Sequence, residues 1–365
     1  MVIGRSPQRA LLSALAPNAH ILVLRLRSLG DTLLTTPALR ALKAWRPDLQ
    51  LSVLVEKAYS DLLAGNPDVT ARIELDSRSL RAAGSVALLK RVRRAPWALC
   101  VDVHGGLLGA LLAWTSGARY RVGRTHFRFR FAYNVFCPEP PQVLGRTQMH
   151  TVEDRLSTFY WLGLPLADIP PLQIFPQASG RAAVREKLAV RGVRAPSRYA
   201  VLHPTATFST KQWPPERFAA VAQWLEEEHG IIPVFSCGPG ETQTLAAVAE
   251  TRRKPLVRLD SLSVAELVAL IEGACLFIGN DSGPAHIAAA LRRPLVVLFG
   301  SSNALVWRPW RAAHERVQNY FPCNPCPGDR CYEFAEPKCI LSITIEQVEQ
   351  AVARALTTLP PVSTS

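Results

Sequence analysis

From His20 onward, short apolar runs of strand length alternate with longer stretches of helical periodicity, and the alternation restarts after a proline-rich break. That pattern restricts the chain to α/β architecture with parallel sheets, because a strand that leads into a helix must cross over to rejoin its sheet. In the first series, residues 21–26, 51–55, 71–75 and 97–103 read as strands, and 32–45, 80–92 and 107–115 read as helices. Pro165, Pro170, Pro171 and Pro176 then mark a linker. The second series places strands at 199–203, 231–236, 256–259, 275–279 and 295–299, with helices at 215–228, 241–251, 264–272 and 285–291. Two Rossmann-like domains are expected, spanning 20–175 and 176–342, with an extension over 1–19, a helix over 343–356 and a tail over 357–365. Open parallel sheets receive ligands beyond the carboxyl ends of their strands. Two such domains facing across a cleft would therefore carry their chemistry on strand-to-helix loops.

Composition narrows the class. A hydrophobic fraction of 48% in 365 residues fills sizeable cores, and 19% charged residues is too few for a disordered or coiled-coil chain. Arg25, Arg27, Lys90 and Arg119 interrupt the most apolar stretches, so no run reaches the roughly 18 residues that span a bilayer. Arg5 and Arg9 precede a short apolar segment at 10–16, which is barely long enough for a signal peptide and reads instead as a ragged cytosolic extension. The eight cysteines form no disulfide-dense pattern, which points to a reducing compartment. Charge is uneven. Residues 1–175 hold 22 Lys and Arg against 12 Asp and Glu, a net +10, whereas the remainder carries only +3 of the total +13. Clusters at Arg78–Arg94 and Arg119–Arg130 suggest an anionic partner, against the plainer alternative of a solvated basic surface.

Four loops carry candidate chemistry. After the first strand, Ser28-Leu-Gly30-Asp31 combines a residue that permits a tight turn with an aspartate at a helix start. Asp31 could simply cap that helix. It could also accept a proton from a hydroxyl, working by position because a helix start lowers a carboxylate's pKa. The second loop, His203-Pro-Thr205-Ala-Thr207-Phe-Ser-Thr-Lys211-Gln-Trp213-Pro214, offers hydroxyls and a lysine suited to a diphosphate, or else forms a solvated loop anchored by Trp213. The third, Cys237-Gly238-Pro-Gly240-Glu241, holds half of a dinucleotide fingerprint, with Glu241 placed for a ribose diol. In the fourth, Asn280-Asp281-Ser282-Gly283-Pro284-Ala-His286, free amides at Ser282 and Gly283 make an anion site, and Asp281 is a cap candidate.

The run Ser28-Leu-Gly-Asp-Thr-Leu-Leu-Thr-Thr-Pro-Ala-Leu-Arg-Ala-Leu, the elements Asp102-Val-His104-Gly105 and His150-x-Val-Glu-Asp-Arg155, Lys211-x-Trp213-Pro214 and Asn280-Asp-Ser-Gly-Pro-Ala-His286 together resemble the lipopolysaccharide heptosyltransferase family, glycosyltransferase family 9. The resemblance runs in order over residues 20–356. It implies a GT-B glycosyltransferase that inverts the anomeric centre, with ADP-L-glycero-D-manno-heptose as donor and the phosphorylated inner core of lipopolysaccharide as acceptor. By position it implies Asp31 as the base and Lys211 as a contact to the donor phosphates. Thr205, Thr207, Gly238, Glu241, Asp281, Ser282, Gly283 and His286 would complete the donor site, and Ser28, Gly30, Asp102 and His104 would meet the acceptor. Leu107-Leu108-Gly109 departs from the family in lacking a basic residue that often follows the Asp-x-His-Gly element.

Cys323-x2-Cys326-x4-Cys331-x7-Cys339 has one tight pair and suggests a structural zinc, without the second pair that most zinc sites show. Its cluster resembles the heptosyltransferase II type more than the I type. No Asp-x-Asp occurs, so no metal is expected on the diphosphate and no cofactor is required for catalysis. The basic first half is expected to meet the acidic inner core and the cytoplasmic face of the inner membrane, as a peripheral protein. Two alternatives stand beside this. One is another nucleotide-sugar transferase of the same fold acting on a different surface glycan. The other is a non-enzymatic nucleotide or nucleic-acid binder, favoured by the two basic clusters but without a helix-turn-helix, RRM or zinc-finger pattern beside them. No nucleic-acid partner is expected.

Overall fold

The computed structural model describes residues 10–76 and 84–357. Arg5, Arg9, Arg78 and Arg81, the start of the helix expected at 80–92 and nearly all of the expected tail lie outside the described residues. The chain divides into two compact units, Met1–Phe175 and Pro176–Ser365.

In the first unit the elements run β1 (His20–Leu24), α1 (Leu29–Leu33), α2 (Thr36–Trp45), β2 (Gln50–Glu56), β3 (Ala71–Leu75), α3 (Gly84–Arg94), β4 (Trp97–Asp102), α4 (Gly106–Thr115), β5 (Tyr120–Arg124), β6 (Val135–Cys137), α5 (Pro140–Leu144) and α6 (Thr151–Trp161). The second unit continues with α7 (Ala178–Val190), β7 (Tyr199–His203), α8 (Pro215–His229), β8 (Ile232–Ser236), α9 (Thr242–Thr251), β9 (Val257–Leu259) and α10 (Val264–Gly273). It ends with β10 (Leu276–Asn280), α11 (Gly283–Ala290), β11 (Leu295–Leu298), α12 (Ala304–Trp307), β12 (Glu315–Val317), α13 (Lys338–Leu341) and α14 (Ile345–Leu356).

The sheet orders are β3-β2-β1-β4-β5-β6 and β12-β11-β10-β7-β8-β9. Every strand pair among the described residues is parallel. Counted within each unit, both follow the doubly wound order in which the chain reverses direction beside its first strand. The switch points therefore lie between β1 and β4, and between β7 and β10. Helices cover both faces, so the central strands are apolar throughout instead of alternating, and residues 21–24 are fully buried.

Three differences from the sequence expectations have local causes. The helix expected over 32–45 is two helices, because the Thr32, Thr35 and Thr36 hydroxyls donate back to the Ser28, Asp31 and Leu33 carbonyls and Pro37 begins a new first turn. The three-residue edge strands β6 and β12 gain their pairing from neighbours and carry too little pattern to be read alone. The extension, expected to be ragged, is packed from residue 10. Leu11, Leu12 and Leu15 are buried, the Leu12 amide donates to Leu162 O at 3.0 Å, and Arg46 donates to the Leu12 and Leu15 carbonyls. At the other end, α14 buries Val348, Ala351, Val352 and Ala355 in the second unit's core.

Leu12→Ala is expected to cost about 2–5 kcal/mol in urea unfolding, the range for a fully buried leucine. A midpoint unchanged from wild type would mean that this segment does not belong to the core.

Candidate functional site

In the first unit, the switch point gathers charge. Arg25 leaves the end of β1 almost fully buried, and its guanidinium donates to Val103 O at 2.9 Å and pairs with Asp31 Oδ1 at 2.6 Å. Arg155, on α6, meets the same oxygen at 3.2 Å. The other oxygen, Oδ2, accepts from the exposed Ser28 hydroxyl at 3.2 Å. Burial by itself would raise the Asp31 pKa, but the two arginines outweigh it and hold the carboxyl below its ordinary range. Asp31 is thus an ionised, partly exposed carboxylate with one oxygen clamped by two arginines and the other bonded to Ser28. Burial lowers Arg25 to about 10, which still leaves it a cation at neutral pH.

Asp102 sits elsewhere in the same design. It is buried, accepts from Tyr133 Oη at 2.6 Å and from the His104 and Gly105 amides at 2.8 Å, and burial raises its pKa. These bonds shape the loop after β4, where Gly105 and Gly106 adopt φ of +78° and +77°, a region that favours glycine. His104 is presented by that loop. Burial first, then Arg25 and Arg27, lowers it to about 4, so it is neutral at pH 7. Gly30 is buried inside α1, so it is a helical residue and not the tight-turn residue expected from the sequence, and Ser28 stands at the N-cap.

In the second unit, Lys211 Nζ lies 3.0 Å from Asp281 Oδ2. Asn280 ties their loops together, donating to Pro204 O at 2.8 Å and accepting from the Trp213 amide at 3.1 Å. Trp213 is fully buried and donates to Ile343 O, which anchors the lysine loop as the sequence suggests. Ser282 and Gly283 begin α11 half-buried, and the helix carries His286 inward. Thr205 is buried with its hydroxyl 3.1 Å from His203 Nε2, whereas Thr207 is exposed. His203 Nδ1 meets Ser236 Oγ at 3.0 Å, and burial lowers its pKa to about 4. Gly238 donates its amide to Glu241 Oε2 at 2.8 Å beyond β8.

Sequence reasoning missed Arg25, His203 and Asn280. The signal for Arg25 was a charged residue at the end of an otherwise apolar strand. Arg155 was visible as the end of His150-x-Val-Glu-Asp-Arg, whose His150 and Glu153 cap α6 while Arg155 reaches Asp31.

Cys323, Cys326, Cys331 and Cys339 line one cavity of about 270 Å³ and none is disulfide-bonded. Among the described residues, no three Cys, His, Asp or Glu side chains converge as a ligand set. The cavity holds the donor chemistry of a zinc site without its arrangement.

Two doubly wound parallel sheets, each with polar residues gathered at its switch point, make an α/β architecture of the GT-B type. The profile of glycosyltransferase family 9 (heptosyltransferase) matches residues 85–334. Lipopolysaccharide heptosyltransferase 3 of Escherichia coli is 32% identical over 77% of this chain and 83% of its own. Lipooligosaccharide heptosyltransferase 2 of Campylobacter jejuni is 24% identical over 88% and 94%. Among solved structures, a family 9 glycosyltransferase of Veillonella parvula overlays at a TM-score of 0.81, with 23% identity over 94% of this chain and 98% of that one. The Escherichia coli ADP-heptose lipopolysaccharide heptosyltransferase II overlays at 0.76, with 19% identity over 93% and 98%. The chain belongs to glycosyltransferase family 9 and is a glycosyltransferase.

The buried neutral His203 has a consequence for acid stability. An unfolded imidazole takes up its proton near pH 6.5, but the folded one resists until about 4. Between those values the unfolded chain binds more protons, so stability should fall as pH drops from about 6.5 towards 4. Urea midpoints for His203→Gln should fall less steeply over that window; a slope equal to wild type would contradict the assignment.

Proposed function

We propose that the chain transfers heptose from ADP-L-glycero-D-manno-heptose to the inner core of lipopolysaccharide, with inversion, at the cytoplasmic face of the inner membrane. The observation that carries this is Asp31, an ionised, partly exposed carboxylate at the first switch point of a family 9 chain. Support for the donor comes from an Escherichia coli heptosyltransferase solved with ADP-2-deoxy-2-fluoro heptose, whose fold this chain shares at a TM-score of 0.67.

In the proposed displacement, an acceptor hydroxyl forms its bond to the anomeric carbon as the bond from that carbon to the diphosphate oxygen breaks. The hydroxyl proton passes to Asp31 Oδ2, the oxygen that the arginines leave open. Such a base is weak by pKa and effective by placement. Negative charge grows on the departing ADP, and the Lys211 ammonium and the free amides at the start of α11 are the groups suited to receive it. Asp281 orients the lysine, and Glu241 is assigned to the ribose. Asp102 acts through the loop it shapes, which presents His104 to the acceptor. No cofactor takes part in transfer, so activity is expected to survive EDTA. A zinc held by Cys323, Cys326, Cys331 and Cys339 would be structural, and elemental analysis of chelator-washed protein decides it.

Asp31→Asn is expected to lower kcat by about 10²–10⁴-fold with ADP binding retained, the range for loss of a general base. Lys211→Ala should weaken ADP binding as well as turnover. Near-normal single turnover by Asp31→Asn would overturn the mechanism, and diphosphate release from a different nucleotide sugar but not from ADP-heptose would reassign the donor. Arg155→Ala removes a charge that favours the carboxylate, so the acidic limb of kcat/KM should move to higher pH. An unmoved limb would separate Asp31 from the titrating step.

A further inference from the structure

The first unit carries a surface that its catalytic chemistry does not use. Helix α4 reads Gly-Leu-Leu-Gly-Ala-Leu-Leu-Ala-Trp-Thr, apolar around most of its circumference. Its inner face packs normally, with Ala110, Leu112 and Ala113 in the core. A surface helix of a globular protein turns polar residues outward, but here the outer face presents Leu107, Leu111 and Trp114, which are 62%, 40% and 57% exposed. These positions are four and three residues apart, so they form one stripe. The segment Arg130–Ala132 packs beside α4 and adds Phe131, 67% exposed.

The rim of this stripe is cationic. Between α3 and α4 lies an open cavity of about 780 Å³ lined by Lys90, Arg93, Arg94 and Arg121 together with Trp114. No acidic side chain lines it, and among the described residues none of these four cations meets a carboxylate. Arg121 instead donates to the Ala118 and Ala132 carbonyls. Arg128 and Arg130 extend the basic field beside Phe131.

We propose that this face docks on an anionic lipid bilayer. Leu107, Leu111, Trp114 and Phe131 enter the headgroup and acyl boundary, and the cavity between α3 and α4 receives lipid phosphates. Apolar side chains ringed by Lys and Arg are the chemistry of an interfacial anchor, whereas a nucleic acid would be served by the cations without the leucines. The proposal rests on the peripheral membrane association given above and assigns it to named residues.

The test is co-sedimentation of the full chain with vesicles of phosphatidylcholine alone, or with about one third phosphatidylglycerol, over a salt series. Wild type is expected to bind only the phosphatidylglycerol vesicles, and less as salt rises. Leu111→Glu should weaken that binding about tenfold or more, and Arg93→Glu with Arg94→Glu similarly, by loss of apolar insertion and of charge attraction. Thermal unfolding and turnover on a delipidated acceptor should be unchanged for Leu111→Glu, which separates docking from folding; Trp114→Ala provides a second apolar variant. Binding that survives both kinds of substitution would overturn this surface while leaving membrane association standing. No binding to either vesicle at low salt would overturn both. Single-stranded RNA that displaces the vesicles and binds Leu111→Glu as well as wild type would assign the basic cavity to nucleic acid instead.

Discussion

The first unit's site depends on a buried guanidinium. Arg25 joins three strand ends: its amide donates to Leu54 O on β2, its side chain continues from β1, and one Nη reaches Val103 O beyond β4. The second Nη holds Asp31. Neither charge could be buried alone, since removing one member of such a pair leaves the other uncompensated at a cost of about 3–5 kcal/mol. The same contact that makes the switch point stable therefore keeps the carboxylate ionised and fixes which oxygen remains open. Asp102, deeper in the unit, is kept from that role by having its acceptors filled with Tyr133 and two backbone amides.

The second unit reaches a polar switch point by different means. Its buried groups are mainly neutral: His203 between Ser236 and Thr205, and Asn280 between Pro204 and Trp213. Its cation there is Lys211, braced by Asp281 next to the start of α11. The cysteine-rich segment belongs to the support of that lysine. Thr210, its chain neighbour, bonds Ser301 Oγ and the Gly328 carbonyl, while Cys326 donates to Ser301 O and Asn324 to Gly300 O. Gly300 is required there, because a side chain would bring its Cβ against the Thr210 carbonyl. Whatever the four thiols bind, their loop already serves as a wall behind Lys211.

The strand and helix alternation was legible because buried parallel strands are apolar on both faces and announce themselves without periodicity. Residues 71–75 and 199–203 match β3 and β7 end to end. What stayed hidden depends on partners remote in sequence. β6 is a strand only beside β5, the apolar segment at 10–16 is core only once Leu162 and Arg46 lie against it, and Asp102 is a loop former only because Tyr133 reaches it. The loops' residue types disclosed candidates for chemistry, but not which oxygen of Asp31 is open or which hydroxyl, Thr205 or Thr207, faces inward.

The two units share one strand order, so topology alone does not distinguish their tasks; the loops and the helices after them do. In the second unit the helix after the switch-point strand begins with Ser282 and Gly283 and is buried along its length, as suits a fixed anion cradle. The counterpart in the first unit, α4, begins with two glycines in left-handed conformation beside His104 and leaves an apolar face open. Ten residues at 1.5 Å each make that helix about 15 Å long. On the proposed docking, the loop that presents His104 and the side chains that enter the bilayer belong to one rigid rod. A lipid-linked acceptor would then be met at a height above the membrane set by α4 itself. On that docking, the coupling would account for why this helix keeps leucines where a soluble surface would place charge.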